Sequence, residues 1–420
     1  MLFRRLFPIL LIIFTNILGA GVILPILPLY AEGQFGGTIP QVTLLSTAYF
    51  TAQFIAAPIL GRISDRIGRR PVLLVSQVGT VLAFVLFIFA GPIGARIDQA
   101  TGTLTISGGM IMLYIARVLD GLTGGNITTA QAYVSDITEE QDRAHGLGLL
   151  QGAFGVGFIF GPAFGGLLAN YGPTVPFLGA AIITTGTFFL TLITLKESLS
   201  PEERGAAGEK DLIGLPLGPL LRKPNLVVIL GVTFFATLAF SALPATFALY
   251  AERVLFVDNI PPGRVQLAIG LMLTLHGFLT VITQVAILRP MIERLGELRL
   301  LVVGEVALVL AMLGVGLAST PVIAALAFMP FAFGQGVSQP SLQSLMTRFG
   351  GRGTGGRLLG LYQSTRSLAL IFGPVWAGYV FEGISPRAVF LVGAAIMFVA
   401  AVLALVLFRT SVPRSSQATS

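Results

Sequence analysis

Gly61-Arg62-Ile63-Ser64-Asp65-Arg66-Ile67-Gly68-Arg69-Arg70 concentrates four arginines, one aspartate and two glycines in ten residues, between two long apolar stretches. Glycine permits the sharp reversal that so short a connection needs. Adding 228 to Gly61, Asp65, Arg66 and Gly68 reaches Arg289, Glu293, Arg294 and Gly296, and three of the four keep their chemistry. At an offset of 212, Leu147–Gly166 runs onto Leu359–Gly378 with nearly half the pairs identical, among them Gln151/Gln363, Gly161/Gly373 and Pro162/Pro374. Leu29-Tyr30-Ala31-Glu32 returns as Leu249-Tyr250-Ala251-Glu252. The halves are copies of one plan. The offsets differ by 16, which places extra residues in the first half, at the polar stretch Ile93–Gly108, read as an external loop.

Outward from the loop, apolar stretches long enough to cross about 30 Å of hydrocarbon recur along the chain. The expected spans are 6–30, 41–61, 71–92, 109–135, 146–168, 175–195, 225–251, 266–288, 299–318, 321–346, 358–381 and 387–408. The composition agrees, with 54% hydrophobic and 11% charged residues, where a soluble domain carries about 25% charge. So few charges cannot cover a water-facing surface, and the 51 glycines suit close helix packing in lipid. Arg4-Arg5 begins an apolar run that continues to Tyr30, longer than the about 7–15 residues of a signal-peptide core. It is read as a retained first span.

Twelve spans put both termini on one side. With Arg4 and Arg5 in the cytoplasm, 20 of the 26 basic residues fall on cytoplasmic segments, four outside and two within spans. That bias fixes the orientation and accounts for the net charge of +7 without nucleic acid. The expected organisation is a six-helix bundle at 1–195, a cytoplasmic linker at 196–224 holding all three lysines, and a second bundle at 225–420. Zero cysteines leave no disulfide, thiolate metal site or cysteine nucleophile. Two histidines, His145 and His276, do not suggest a metal site.

Three motifs occur in order. The loop 61–70 resembles the signature loop of the major facilitator superfamily, Arg117–Gly125 resembles its Arg-x-x-x-Gly motif, and Gly152, Gly161, Pro162, Gly165 and Gly166 fall in a stretch resembling its antiporter motif. The resemblance covers nearly the whole chain and is nearest to twelve-helix drug/proton antiporters such as tetracycline-resistance efflux pumps. It implies an all-α membrane fold of two pseudo-symmetric six-helix bundles. It also implies exchange of a lipophilic small molecule for protons, with no cofactor beyond the proton gradient. Those pumps place an acid on the first and third spans, where this chain has Asn16 and Ala83. Tetracycline itself is therefore disfavoured as substrate.

Gly61, Asp65, Arg66, Gly68, Arg69 and Arg70 read as a cytoplasmic latch, or as topology determinants alone. In the latch reading Asp65 sits at a neighbouring helix N-terminus, where the dipole favours an anion. The family implies the start of the eleventh span near Arg357, and Arg69 or Arg70 is expected to pair with Asp136. Such a network would hold an outward-facing state. The glycines and Pro162 of the fifth span allow close contact and a bend.

Ionisable groups at bilayer depth carry the functional weight, because charge there is costly. Arg117 and Asp120, three apart, share a helix face. Asp120 is the first candidate for proton coupling, with Arg117 as its partner and Glu305 as a further candidate; a static ion pair is the alternative. The cavity candidates are Asn16, Gln53, Asn126, Gln131, Gln151, His276, Gln284, Gln339, Gln343, Gln363 and Arg366, groups that read a substrate or join helices. Besides drug export by a monomer in the inner membrane, two other readings are weighed. One is a transporter of a specific metabolite such as a sugar, for which the single tryptophan, Trp376, offers little stacking. The other is a sensor or scaffold, which predicts a degenerate loop motif or an added soluble domain. An enzyme is disfavoured by the lack of a nucleophile–base pair or phosphate loop.

Overall fold

The structure, a computed structural model, describes residues 2–102, 105–124, 126–200, 204, 222–257, 264–350 and 355–411; side chains at 2–5, 126, 140, 141, 144, 350 and 355–357 lie outside the description. In hydrocarbon no water is present to satisfy backbone groups, so an apolar chain closes its hydrogen bonds within helices. Every regular element among the described residues is helical. In order these are α1 (Leu2–Phe35), α2 (Ile39–Ile67), α3 (Arg69–Thr101), α4 (Gly108–Thr123), α5 (Asn126–Ile137), α6 (Glu140–Ala169) and α7 (Val175–Thr194). There follow α8 (Pro224–Phe240), α9 (Ala242–Tyr250), a π turn at Ala251–Leu255, α10 (Arg264–Ile282) and a second π turn at Thr283–Ile287. The chain ends with α11 (Leu288–Leu295), α12 (Glu297–Leu317), α13 (Pro321–Gly350), α14 (Gly355–Gly383) and α15 (Pro386–Ser411).

Ten stretches among the described residues are long and apolar enough to cross a membrane. The other two expected spans fall on α4 with α5, and on α14, whose apolar content is diluted by Gln363 and Arg366. The protein is a multi-pass membrane protein. Large apolar side chains such as Val75, Ile182, Phe189, Phe372 and Phe398 stand more than half exposed, as a lipid solvent allows.

Two expectations need correction. The segment Ile93–Gly108 is not a loop throughout: α3 continues to Thr101 and is stopped by Gly102, whose φ of 74° an L-residue rarely adopts. Asp98 Oδ1 then accepts the Gly108 N–H at 2.7 Å, so polar residues extend and tie the helix instead of ending it. The expected single span 109–135 is two helices, because α4 closes at Gly124 before α5 begins at Asn126.

The chain packs as two compact units, Met1–Gly214 with Ala251–Leu275 and Leu215–Tyr250 with His276–Ser420. In the first, α1 lies along α6 and α7, while α4 packs on α2 and α3. In the second, α12 packs on α13 and α15, and α8 on α14 and α15. Internal similarity reaches the hydrogen bonds. Tyr30 Oη donates to the Phe87 carbonyl at 3.1 Å, and Tyr250 Oη to the Val315 carbonyl at 2.6 Å. The two acceptors are 228 residues apart, the spacing of the loop motif. Gly68 and Gly296, also 228 apart, both hold positive φ, at 107° and 75°.

Candidate functional site

Asp120 lies on α4, buried with Arg117 in the first unit. One turn separates them, so the Arg117 guanidinium meets Asp120 Oδ2 at 3.0 Å. The second carboxylate oxygen accepts from Thr80 Oγ1 on α3 at 3.3 Å. Arg117 also lies over the ring of Tyr49 on α2, 4.1 Å from its centroid. Gln53, one turn along, donates from Nε2 to Tyr49 Oη at 3.1 Å and to the Gly124 carbonyl at 3.2 Å. Three helices thus contribute to one buried polar cluster.

At the loop motif the fold gathers more than the spacing indicated. Arg69 reaches Asp136 at 3.0 Å through Nε and Ser64 at 2.7 Å through Nη1, and it also pairs with Asp65. Arg70 turns away to donate to the Leu192 carbonyl at 2.7 Å. Arg66 is exposed, and Gly61 faces open space. The expected partner of Asp65 near Arg357 lies outside the described side chains. The anion at the start of α3 is instead Glu197, just past α7. Its carboxylate accepts the backbone N–H groups of Arg69 and Arg70 at 2.8 and 3.1 Å. Helix N-termini leave such donors unsatisfied and favour negative charge. A side chain at Gly68 would collide with that carboxylate. Ser198 adds a bond to Asp136 at 2.9 Å, and Tyr133 one to the Lys196 carbonyl at 3.0 Å.

Along α6 the motif glycines face different neighbours. Gly161 and Gly165 lie against α1, Gly166 against α10, and Gly152 against nothing within 4 Å. Pro162 packs at the same seam, and Thr274 Oγ1 of α10 donates to the Ile159 carbonyl at 2.7 Å.

The profile of the Major Facilitator Superfamily matches residues 9–258 and 265–420. The chain belongs to this superfamily. Its similar relatives include the class D tetracycline resistance protein of Salmonella ordonez, 28% identical over 92% of this chain and 93% of that one. The class C tetracycline resistance protein of Escherichia coli is 30% identical over 85% and 84%. Multidrug resistance protein 2 of Bacillus subtilis (strain 168) is 26% identical over 88% and 87%. Among solved structures, the human organic anion transporter TETRAN aligns with a TM-score of 0.65 at 22% identity, covering 96% of this chain and 99% of that one. A bacterial homologue of the human lysosomal transporter Spinster aligns at 0.72 with 14% identity, covering 97% of each chain. These last two speak to the fold.

In the second unit of this Major Facilitator Superfamily chain, Glu305 of α12 is fully buried. Ser338 of α13 lies against it, but neither carboxyl oxygen has a donor in hydrogen-bonding geometry among the described residues. Glu305, Ser338, Gln335, Gln339, Thr237 and Tyr362 line a cavity of about 30 Å³, room for a water or two. His276 Nε2 pairs with Gln335 Oε1 at 2.9 Å, and its ring sits 5.1 Å from that of Phe331, so it is a packed interior histidine. Arg366 is half-buried 5.9 Å from the Tyr362 ring centroid, with no acid in ion-pair range among the described residues.

The remaining cavity candidates are scattered. Asn16 is buried, its Nδ2 without an acceptor among the described residues. Gln131 is half-buried on α5, and Gln151, Gln343 and Gln363 are exposed. Gln284 is exposed on a π turn, a distortion often found at functional positions. The Asn126 side chain lies outside the description. Sequence reading passed over Thr80 and Glu197. Glu197 carried a faint signal, an acid beside Lys196 in a polar, basic segment. Thr80 carried none, since which face of α3 meets α4 is a matter of packing.

Proposed function

We propose that this chain exports a lipophilic small molecule in exchange for protons, and that Asp120 carries the proton. It works as a monomer in the inner membrane with both termini in the cytoplasm, its halves 1–195 and 225–420 moving about the linker 196–224. The buried Arg117–Asp120 pair is the observation that carries the reading, in a chain whose relatives include tetracycline and multidrug resistance proteins. A carboxylate whose oxygens are held by Arg117 and Thr80 keeps its charge only while both contacts stand. A change of packing that weakens them favours proton uptake; the reverse favours release. Coupling follows if the two protonation states prefer different conformations. Glu305, buried against Ser338 with no donor in hydrogen-bonding geometry among the described residues, is the second candidate for carrying a proton.

The loop cluster of Arg69, Asp65, Asp136 and Glu197 supports a latch that ties α2, α3, the end of α5 and the start of the linker together. Arg366, with no acidic partner among the described residues, supplies a positive group to a substrate with electronegative oxygens. The test is in cells. Expression should lower accumulation of lipophilic dyes such as ethidium, and a protonophore should abolish the effect. Accumulation unchanged by expression across a broad panel of such compounds would remove the export reading.

A further inference from the structure

The Arg117 guanidinium has two partners, Asp120 at 3.0 Å and the Tyr49 ring, whose centroid is 4.1 Å away. Its Nε is buried with no acceptor among the described residues. When Asp120 takes a proton the ion pair is lost, yet Arg117 cannot surrender its own charge. An unpartnered guanidinium at bilayer depth is costly, and the π face of an aromatic ring is the partner that remains. Tyr49 is fixed at its far end. Its Oη accepts from Gln53, and the same amide holds the Gly124 carbonyl, where α4 ends. Helices α2 and α4 touch here: a side chain at Gly121 would collide with the Tyr49 carbonyl.

We propose that Tyr49 is a positioning residue for proton exchange, which holds Arg117 while Asp120 is protonated and passes the displacement through Gln53 to the break between α4 and α5. This rests on Asp120 as the proton site. Among the described residues, the charged or titratable groups that face Asp120 are Arg117 on α4 and Tyr49 on α2; α3 offers Thr80. The remaining helix packed on α4, α1, has no titratable side chain between Arg5 and Tyr30. Gly124 has no room for a side chain at this junction: a Cβ there would fall 2.9 Å from the Asp120 carbonyl oxygen and 3.3 Å from Tyr49 Oη, so the end of α4 sits directly against the Tyr49–Gln53 contact.

The test is a double-mutant cycle on full-length purified protein, read by thermal unfolding without any transported compound. Asp120→Asn imitates the protonated acid. Tyr49→Leu should lower the melting temperature more in that background than in the wild type, whereas Tyr49→Phe, which keeps the ring, should show no such excess. Additive effects, or equal behaviour of Leu and Phe, would overturn the proposal whether or not the protein exports anything. Should Asp120→Asn fail to fold, the same contrast is read in the Asp120 protein. There the Tyr49→Leu penalty should grow as pH is lowered, and a penalty independent of pH counts against it. In proteoliposomes, Tyr49→Phe should remain folded but move fewer protons per ethidium, since it lacks the hydroxyl that engages Gln53. Unaltered proton movement would overturn the relay.

Discussion

Replacing Gly161 by alanine should loosen the first unit, because the position has no room for a methyl group. A Cβ built there falls 2.7 Å from the Gly21 Cα and 2.8 Å from the Leu18 carbonyl oxygen, where ordinary contacts run from 3.4 to 4 Å. Both neighbours are backbone of α1, so no side-chain rotation relieves the clash, and α1 and α6 must separate by about 0.7 Å or more along a well-packed seam. Overpacking of that kind costs about 1–3 kcal/mol. Helix propensity works the other way, since alanine is better than glycine by about 1 kcal/mol. The net expectation is a loss of up to about 2 kcal/mol. Gly152 is the control on the same helix, with nothing within 4 Å of its Cβ position. There only propensity acts, and alanine should be neutral or stabilising by up to about 1 kcal/mol. Thermal unfolding of the two purified variants decides. A Gly161→Ala protein as stable as Gly152→Ala, or a Gly152→Ala protein less stable than the wild type, would refute the reasoning.

Three further outcomes follow from the geometry. Glu197→Ala should destabilise the protein by about 1–3 kcal/mol, since the Arg69 and Arg70 N–H groups lose their acceptor at a helix N-terminus; melting temperature checks it, with Glu197→Asp recovering part of the loss. Glu305→Gln should leave the melting temperature unchanged or raised, because it removes a buried acid that has no donor among the described residues. A large drop there would mean Glu305 has a structural partner. The cysteine-free chain also allows a test of orientation. A cysteine at Arg96 should react with an impermeant maleimide in intact cells, and one at Arg62 only after the membrane is opened.

Fold was legible because it is written in quantities that do not depend on contacts. Span lengths, the placement of arginines and the 228-residue offset each report on the bilayer or on duplication, and the carbonyls of Phe87 and Val315, which accept from Tyr30 and Tyr250, repeat the offset. Helix ends were less legible. Polar residues 93–101 read as a loop, yet a helix leaving the membrane tolerates them until Gly102 forces the turn. The site was legible where the chain is local, as with Arg117 and Asp120 on one face. Thr80, Tyr49 and Gln53 came to that pair from two other helices, a matter of which faces meet, and no spacing encodes it. Glu197 stayed hidden for the same reason: its partners are backbone N–H groups, about 130 residues away in sequence and with no signature of their own.

The central claim is that proton exchange runs through Asp120. Purified protein in liposomes with a trapped pH dye, challenged with ethidium, measures it directly. The account predicts substrate-driven proton movement in the wild type and its loss in Asp120→Asn with the fold intact. Movement of undiminished size in Asp120→Asn would contradict it.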